Sequence, residues 1–256
     1  MISMPSRWIP TLLSLCLLSA SSLAADVLLT KKRDADEFGF QDRVTQGAKN
    51  QKVEIWIGPD RVRRDDGRTA LILRLDQKKL YFINHTDRTW SATDLRQKGT
   101  RWTATATFLP PPGQEVWRWH AKTEPTGETR KVGSWQAAGH RIALTSETGM
   151  AERVRLVWWV ASDLRVDDAA WRVLTSLLAS FDPAGEEWVA AVQTIPGHPV
   201  LFEQAVQQPE VEVTLREELV AVKEGEAPAG LYEVPDGYRV IDLAAYREAY
   251  GWPPPL

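Results

Sequence analysis

Alternation with a period of two runs from Val27 to about Ser162, and it restricts the fold more than any motif in the chain. Val53, Ile55 and Ile57 alternate with Glu54 and Trp56, and Gly58-Pro59-Asp60 then turns the chain into Arg61-Val62-Arg63-Arg64. Asp66-Gly67 is a hairpin signal, because its residues tolerate the positive φ that tight two-strand turns require. Leu71, Leu73 and Leu75 alternate with Ile72 and Arg74, and short turns lead on to Leu80-Tyr81-Phe82-Ile83 and Thr89-Trp90-Ser91. Short strands joined by tight turns pair antiparallel with their neighbours, so this stretch predicts a meander. The proline run at residues 109–113 cannot sit inside a ladder and predicts a loop. Strands resume with Val116-Trp117-Arg118-Trp119-His120, over residues 129–144, and over 153–160.

The grammar then changes. Asp167-Asp168 precedes Ala169-Ala170-Trp171, with Leu174, Leu177, Leu178 and Phe181 on a helical stripe. Asp182-Pro183 predicts the start of a second helix carrying Trp188, Val189, Val192 and Ile195, ended by Pro196-Gly197. Strands are expected again at residues 200–207, 211–215 and 219–222, and a short amphipathic helix at 243–250. The fold class is mainly β with some α, an α+β chain. One curved antiparallel sheet, an incomplete β-barrel, would have its concave face covered by the helix pair. A closed barrel is the competing architecture.

The N-terminus sets the compartment. Arg7 is the only charge before Asp26, an apolar run covers residues 9–18, and Ser22-Leu23-Ala24 offers small residues at the cleavage positions. Residues 1–24 are therefore expected to be a secretory signal cleaved near Ala24. The run is short for ~30 Å of hydrocarbon and is interrupted by Pro10, Ser14 and Ser19, so the mature form is expected to have no membrane span. The expected location is the periplasm. Residues 25–252 would form one domain, followed by a loose Pro-rich tail at 253–256. Cys16, the single cysteine, leaves with the signal, which excludes disulfides, thiolate metal sites and a cysteine nucleophile. The net charge of −3 is spread without long runs, and nothing points to nucleic acid. Tryptophan is the unusual item, at twelve residues against five tyrosines.

Four segments carry a resemblance. They are Trp56-Ile57-Gly58-Pro59-Asp60-Arg61-Val62-Arg63-Arg64-Asp65, Arg74-Leu75-Asp76-Gln77-Lys78-Lys79-Leu80-Tyr81, Gly197-His198-Pro199-Val200, and Gly230-Leu231-Tyr232-Glu233-Val234-Pro235-Asp236-Gly237-Tyr238. Together they resemble an uncharacterised family of bacterial exported proteins related to the lipoprotein carriers of the LolA and LolB type. The resemblance implies a LolA-like half-open barrel with helices against an apolar hollow, which in the carriers accepts acyl chains. Related sequences often have a cysteine after the glycine–aromatic pair that here reads Gly133-Ser134-Trp135-Gln136-Ala137, and this chain has none. No functional residue of the carriers maps onto this sequence position by position.

No catalytic constellation is evident. His85 reads as a solvated turn residue, His198 as a turn residue, and His120 and His140 as strand residues at surface or half-buried places; the four show no helical metal-binding pairing, and no nucleophile elbow is present. The adjacent pairs Asp65-Asp66, Asp167-Asp168 and Glu186-Glu187 read as a turn and two helix starts, since acid–base work needs carboxylates facing one substrate. The expectation is a non-enzymatic protein with no metal and no cofactor. Trp56, Trp117, Trp119, Trp158, Trp171 and Trp188 are the candidate lining of an apolar hollow for a lipid, acyl chain or other apolar ligand. Arg61, Arg63 and Arg64 are either a solvated strand and turn or an anionic-group contact at the barrel rim. An apolar small molecule or an acylated protein is the expected partner. The alternative is an envelope interaction or sensor module whose hollow is filled and which docks another envelope protein, and an envelope hydrolase ranks last.

Overall fold

The computed structural model describes residues 25–40, 43–45, 47–99, 101–104, 119–146, 154–179, 185–207 and 211–250. The expected signal, the proline run at 109–113, Asp182-Pro183, Trp117 and the 253–256 tail lie outside them.

Two antiparallel meanders share one strand. The first comprises β4 (Ala48–Ile57), β5 (Arg61–Asp65), β6 (Thr69–Arg74), β7 (Lys79–Asn84) and β8 (Thr89–Lys98). The second comprises β10 (Trp119–Val132), β11 (Trp135–Ser146), β12 (Val154–Ala161), β13 (His198–Gln207) and β14 (Glu212–Gly225). Between them lies β1 (Asp26–Ala35), paired to β14 on one side and β4 on the other. With β9 (Arg101–Ala104) and β15 (Arg239–Val240) beside β8, they make a 13-stranded sheet. The β15–β8 pairing is parallel and the others are antiparallel. The strands β2 (Phe38–Phe40) and β3 (Arg43–Thr45) form a separate ribbon.

The sheet is open, because β10 and the β9/β15 end do not pair among the described residues. It also bends. Twelve strands laid flat would span about 50 Å. Yet α1 (Ala169–Ala179) packs on β5 and β9, α2 (Gly185–Gln193) packs on β10 and β11, and α1 and α2 touch each other. A helix pair spaced about 10 Å apart reaches both arms only if the sheet wraps round it. One apolar core follows from this, joining Leu29, Ile55, Leu71 and Phe82 of the sheet to Leu174, Leu177 and Leu178 of α1. Leu174 is fully buried, as its place on the stripe predicted.

The last part of the chain wraps the outside. After β14, residues 226–238 cross the outer face over Ala70, Ile72 and Ile83, where Tyr232 is buried beside Trp56, Tyr81 and Trp90. The helix α3 (Leu243–Tyr250) then rounds the β8 edge. It returns Tyr246 to the inner core, 6.1 Å from the Phe82 ring.

Three local expectations change. The strands expected at 211–215 and 219–222 are one continuous strand, β14. The intervening Arg216-Glu217-Glu218 stays in the ladder because its charges find partners: Arg216 bonds Glu203 (3.1 Å) and Glu218 (2.8 Å), and Glu217 meets cations from other strands. His85 is half-buried rather than solvated, linking Tyr238 Oη (2.9 Å) to the Asp65 carboxylate (3.2 Å). His198 opens β13 instead of staying in its turn, and is 3% exposed.

Candidate functional site

A cavity of about 110 Å³ lies between the inner face of the sheet and the helix pair. Its apolar wall comes from Leu29 on β1, Trp158 and Val160 on β12, Trp171 on α1, and Val189 and Val192 on α2, with Ile195 just beyond. Alternation explains the β12 contribution, since Leu156 and Val160 are in phase with Trp158 and all belong to the cluster that Ile195 closes. Trp158 and Phe202, paired across β12 and β13, meet at a tilt of 59° with their ring centroids 5.4 Å apart. Trp171 sits one helical turn before Leu174, so it shares the sheet-facing side of α1 and borders the cavity while Leu174 fills the core.

The floor of the cavity is charged. Lys31 is in phase with Val27 and Leu29, and Glu217 lies opposite Arg33 in the β1–β14 register, so strand geometry turns all of them inward. Glu217 stands among three cations: Arg64 Nη2 at 3.4 Å, Lys31 Nζ at 3.6 Å and Arg33 Nε at 3.8 Å. Arg64 also lies 3.9 Å from Asp66. Burial opposes ionisation of Glu217, but Lys31, Arg64 and Arg33 outweigh it and hold its carboxyl below the usual range. Burial lowers the Lys31 ammonium, and the charge of Arg64 adds to that.

His198 borders the same cavity. Burial first, then the positive charge of Lys31, push its ring down to about 4, so the imidazole is neutral at pH 7. Neither ring nitrogen has a hydrogen-bond partner among the described residues, and Asp168 stands 3.9 Å from Nδ1. Asp168 is itself engaged by Arg172 at 2.7 Å, one turn along α1. The turn that delivers His198 needs glycine at 197, where φ is +109° and a Cβ would lie 2.6 Å from the Ala161 carbonyl oxygen.

The structure divides the sequence candidates. Trp158 and Trp171 line the cavity. Trp56 does not: it alternates away from Val53, Ile55 and Ile57 and packs in the outer cluster under Tyr232. Trp117 lies outside the described residues, and for Trp119 on β10 and Trp188 on α2 only the backbone is described. The three arginines do not form one rim cluster, because neighbours on a strand face opposite ways. Arg64 joins the inner charges. Arg63 lies outside, bonded to Asp65 and to the Leu231 carbonyl (3.0 Å), and Arg61 stacks at 4.7 Å on the Tyr232 ring. Lys31, Glu217 and His198 were not among the sequence candidates. A charged residue in phase with an apolar face was the available signal.

No group of three or more histidines, cysteines or carboxylates fit to hold a metal occurs among the described residues. Among them also, no helix is long and apolar enough to cross a membrane.

A family model described as a domain of unknown function (DUF4412) matches residues 32–238. The chain belongs to that family. Nothing among curated proteins matches it. Three solved structures show distant likeness. PNGF-II in a C2 crystal form aligns with TM-score 0.40 and 10% identity over 89% of this chain and 33% of that one, so the chain spans about a third of it. An uncharacterized conserved protein from Thermus thermophilus gives 0.43 and 8%, covering 86% and 91%. A putative outer membrane lipoprotein-sorting protein domain from Vibrio parahaemolyticus gives 0.21 and 8%, covering 81% and 87%. At such scores the likenesses carry no argument.

Proposed function

We propose that the protein is an exported, non-enzymatic binding protein of the bacterial envelope, a LolA-like half-barrel that holds the apolar part of a small ligand between sheet and helices. The observation that supports this reading most is the cavity walled by Trp158, Trp171, Leu29 and Ile195 between the sheet and the helix pair. Packed interiors rarely leave such space, because each void forfeits contacts along its lining.

Size limits the ligand. An apolar cavity of about 150 Å³ takes a benzene-sized guest, so about 110 Å³ encloses roughly four carbons of a chain, and the rest of a longer chain lies in the open mouth. Several acyl chains at once would require α1 and α2 to swing away. At ~0.8 kcal/mol per methylene, the enclosed part gains roughly 3 kcal/mol before the cost of association. Weak binding follows, millimolar at best for an uncharged chain.

Native mass spectrometry of gently purified mature protein, with a tryptophan-fluorescence titration by 1-octanol and octanoate, tests the reading. One saturable site is expected, reported by Trp158 and Trp171. No bound species and no saturable response to either probe rejects it.

A further inference from the structure

We infer that the cavity takes an aliphatic carboxylate, a short or medium-chain fatty acid, with its head group between Lys31 Nζ and the His198 ring and its chain against Trp158, Trp171 and Ile195. This rests on the binding reading above and adds the chemistry of the head group.

Charge balance is the first support. The groups meeting at the cavity floor are the cations Lys31, Arg33, Arg64 and Arg172 and the carboxylates Asp66, Asp168 and Glu217, with His198 neutral. Four cations face three carboxylates. Arg33, Arg64 and Glu217 are at most 6% exposed, so the surplus positive charge sits where water screens it little. A surplus of this kind is what an incoming anion neutralises.

Unused hydrogen-bonding capacity is the second support. Lys31 lines the cavity, carries three N–H donors, and meets Glu217 only at 3.6 Å. Arg172 bonds Asp168, which leaves the His198 ring unclaimed at 3% exposure. A buried imidazole without partners is costly, and the native packing keeps one at the cavity wall. A carboxylate satisfies both groups at once. One oxygen accepts from the ammonium, and the other accepts from the imidazole N–H.

The arrangement of the wall completes the fit. Lys31, Glu217 and His198 gather at the floor, Trp158 and Val160 of β12, Trp171 of α1 and Val189, Val192 and Ile195 supply apolar wall, and Arg172, Thr175 and Gln193 are polar residues on the helix side. Arg172, 45% exposed in its side chain, stands at the mouth. An amphiphile with one charged end matches that polarity. A neutral alcohol of equal length matches only the wall.

The test compares octanoate with 1-octanol on the mature protein at pH 7.5, by calorimetry or tryptophan fluorescence. Octanoate is expected to bind at least about tenfold tighter, as one charge-assisted contact in a shielded site warrants. In Lys31→Met, which keeps the aliphatic stem, the two affinities should come within about threefold through loss of octanoate alone. Glu217 retains Arg33 and Arg64 in that variant, which favours folding. His198→Leu should narrow the preference in the same direction, so the inference stays testable if one variant does not fold. The ratio of the two affinities is the readout because a purely structural role moves both ligands together. Octanol binding as tightly as octanoate in the parent protein overturns the carboxylate inference and leaves the binding reading standing. A preference unchanged in both variants overturns it too. Binding of neither probe removes both.

Discussion

The two faces of the sheet use the same residue types and finish them differently. On the outer face, Arg63 bonds Asp65 and the Leu231 carbonyl, Arg74 bonds Asp76, Glu233 and the Tyr232 carbonyl, and Arg61 lies on the Tyr232 ring. The strap at 226–238 supplies a contact for each of these guanidinium groups, and the aromatic cluster beneath it is filled by Trp56, Tyr81 and Trp90, although Arg61 Nε and Tyr232 Oη have no hydrogen-bond partner among the described residues. On the inner face, Lys31, Arg33 and Arg64 share Glu217, and a void lies beside Trp158 of β12 and Trp171 of α1. His198 there has no hydrogen-bond partner among the described residues. A surface finished by its own chain serves the fold. One left with unmatched charge, unused donors and space is built for something that is not the chain.

That contrast can be broken by experiment, starting with its largest expected effect. Glu217→Gln leaves three buried cations without their shared carboxylate and should cost about 3–5 kcal/mol, lowering Tm by about 10 °C in thermal unfolding. A loss below about 1 kcal/mol means that the inner charges are solvated, and the contrast between faces disappears.

His198 gives the next effect. Its ring titrates near 4 when folded and near its ordinary 6.5 when unfolded, so the unfolded chain binds the extra proton between those values. Stability should therefore fall as pH drops from about 6.5 to about 4, by up to about 3 kcal/mol, and His198→Asn should remove that share of the slope. Denaturant midpoints at half-unit pH steps measure it, and identical slopes in both proteins contradict the burial.

Asp65 is the outer counterpart. Burial opposes its charge, but His85, Arg63 and the Gly67 amide outweigh that and hold the carboxyl well below the usual range. Its stabilisation is present above about pH 4 and lost as the solution becomes more acidic. Asp65→Asn should cost about 2 kcal/mol at pH 7 and progressively less as the pH falls below about 4. The two groups thus lose stability in successive pH windows, His198 first and Asp65 below it.

Binding separates the faces more directly. Trp171→Ala should weaken octanoate about tenfold, and Trp56→Ala should leave it within about twofold although both variants lose core area. Equal losses would show that the effect passes through stability alone. The smallest change is Arg61→Ala, which removes a partly exposed cation from the Tyr232 ring and should cost about 0.5–1 kcal/mol.

Much of this architecture is legible in the sequence. The meander, the Asp66-Gly67 hairpin, α1 after Asp167-Asp168 and α3 over Leu243–Tyr250 follow from periodicity and turn chemistry, which are local. The alternation that marks β4 also sends Trp56 outward, opposite to its expected role. It likewise separates Arg64 from Arg61 and Arg63. The missed half of the site depends on long-range pairing. Glu217 reads as part of a charged break until β1 and β5 bring Arg33, Lys31 and Arg64 to it, and His198 reads as a turn residue until Asp168 arrives from just before α1.

The central position of β1 has a consequence for how the molecule assembles. One flank of β1 is completed by β4 soon after synthesis, whereas the other waits for β14, nearly the whole domain later. The N-terminal meander can therefore form with its Leu29 and Lys31 edge still unzipped, in the state most exposed to aggregation before the chain is complete. Closing that seam is also what brings Glu217 to the cations, so the polyelectrolyte floor and the last β pairing should appear together in a single slow kinetic phase.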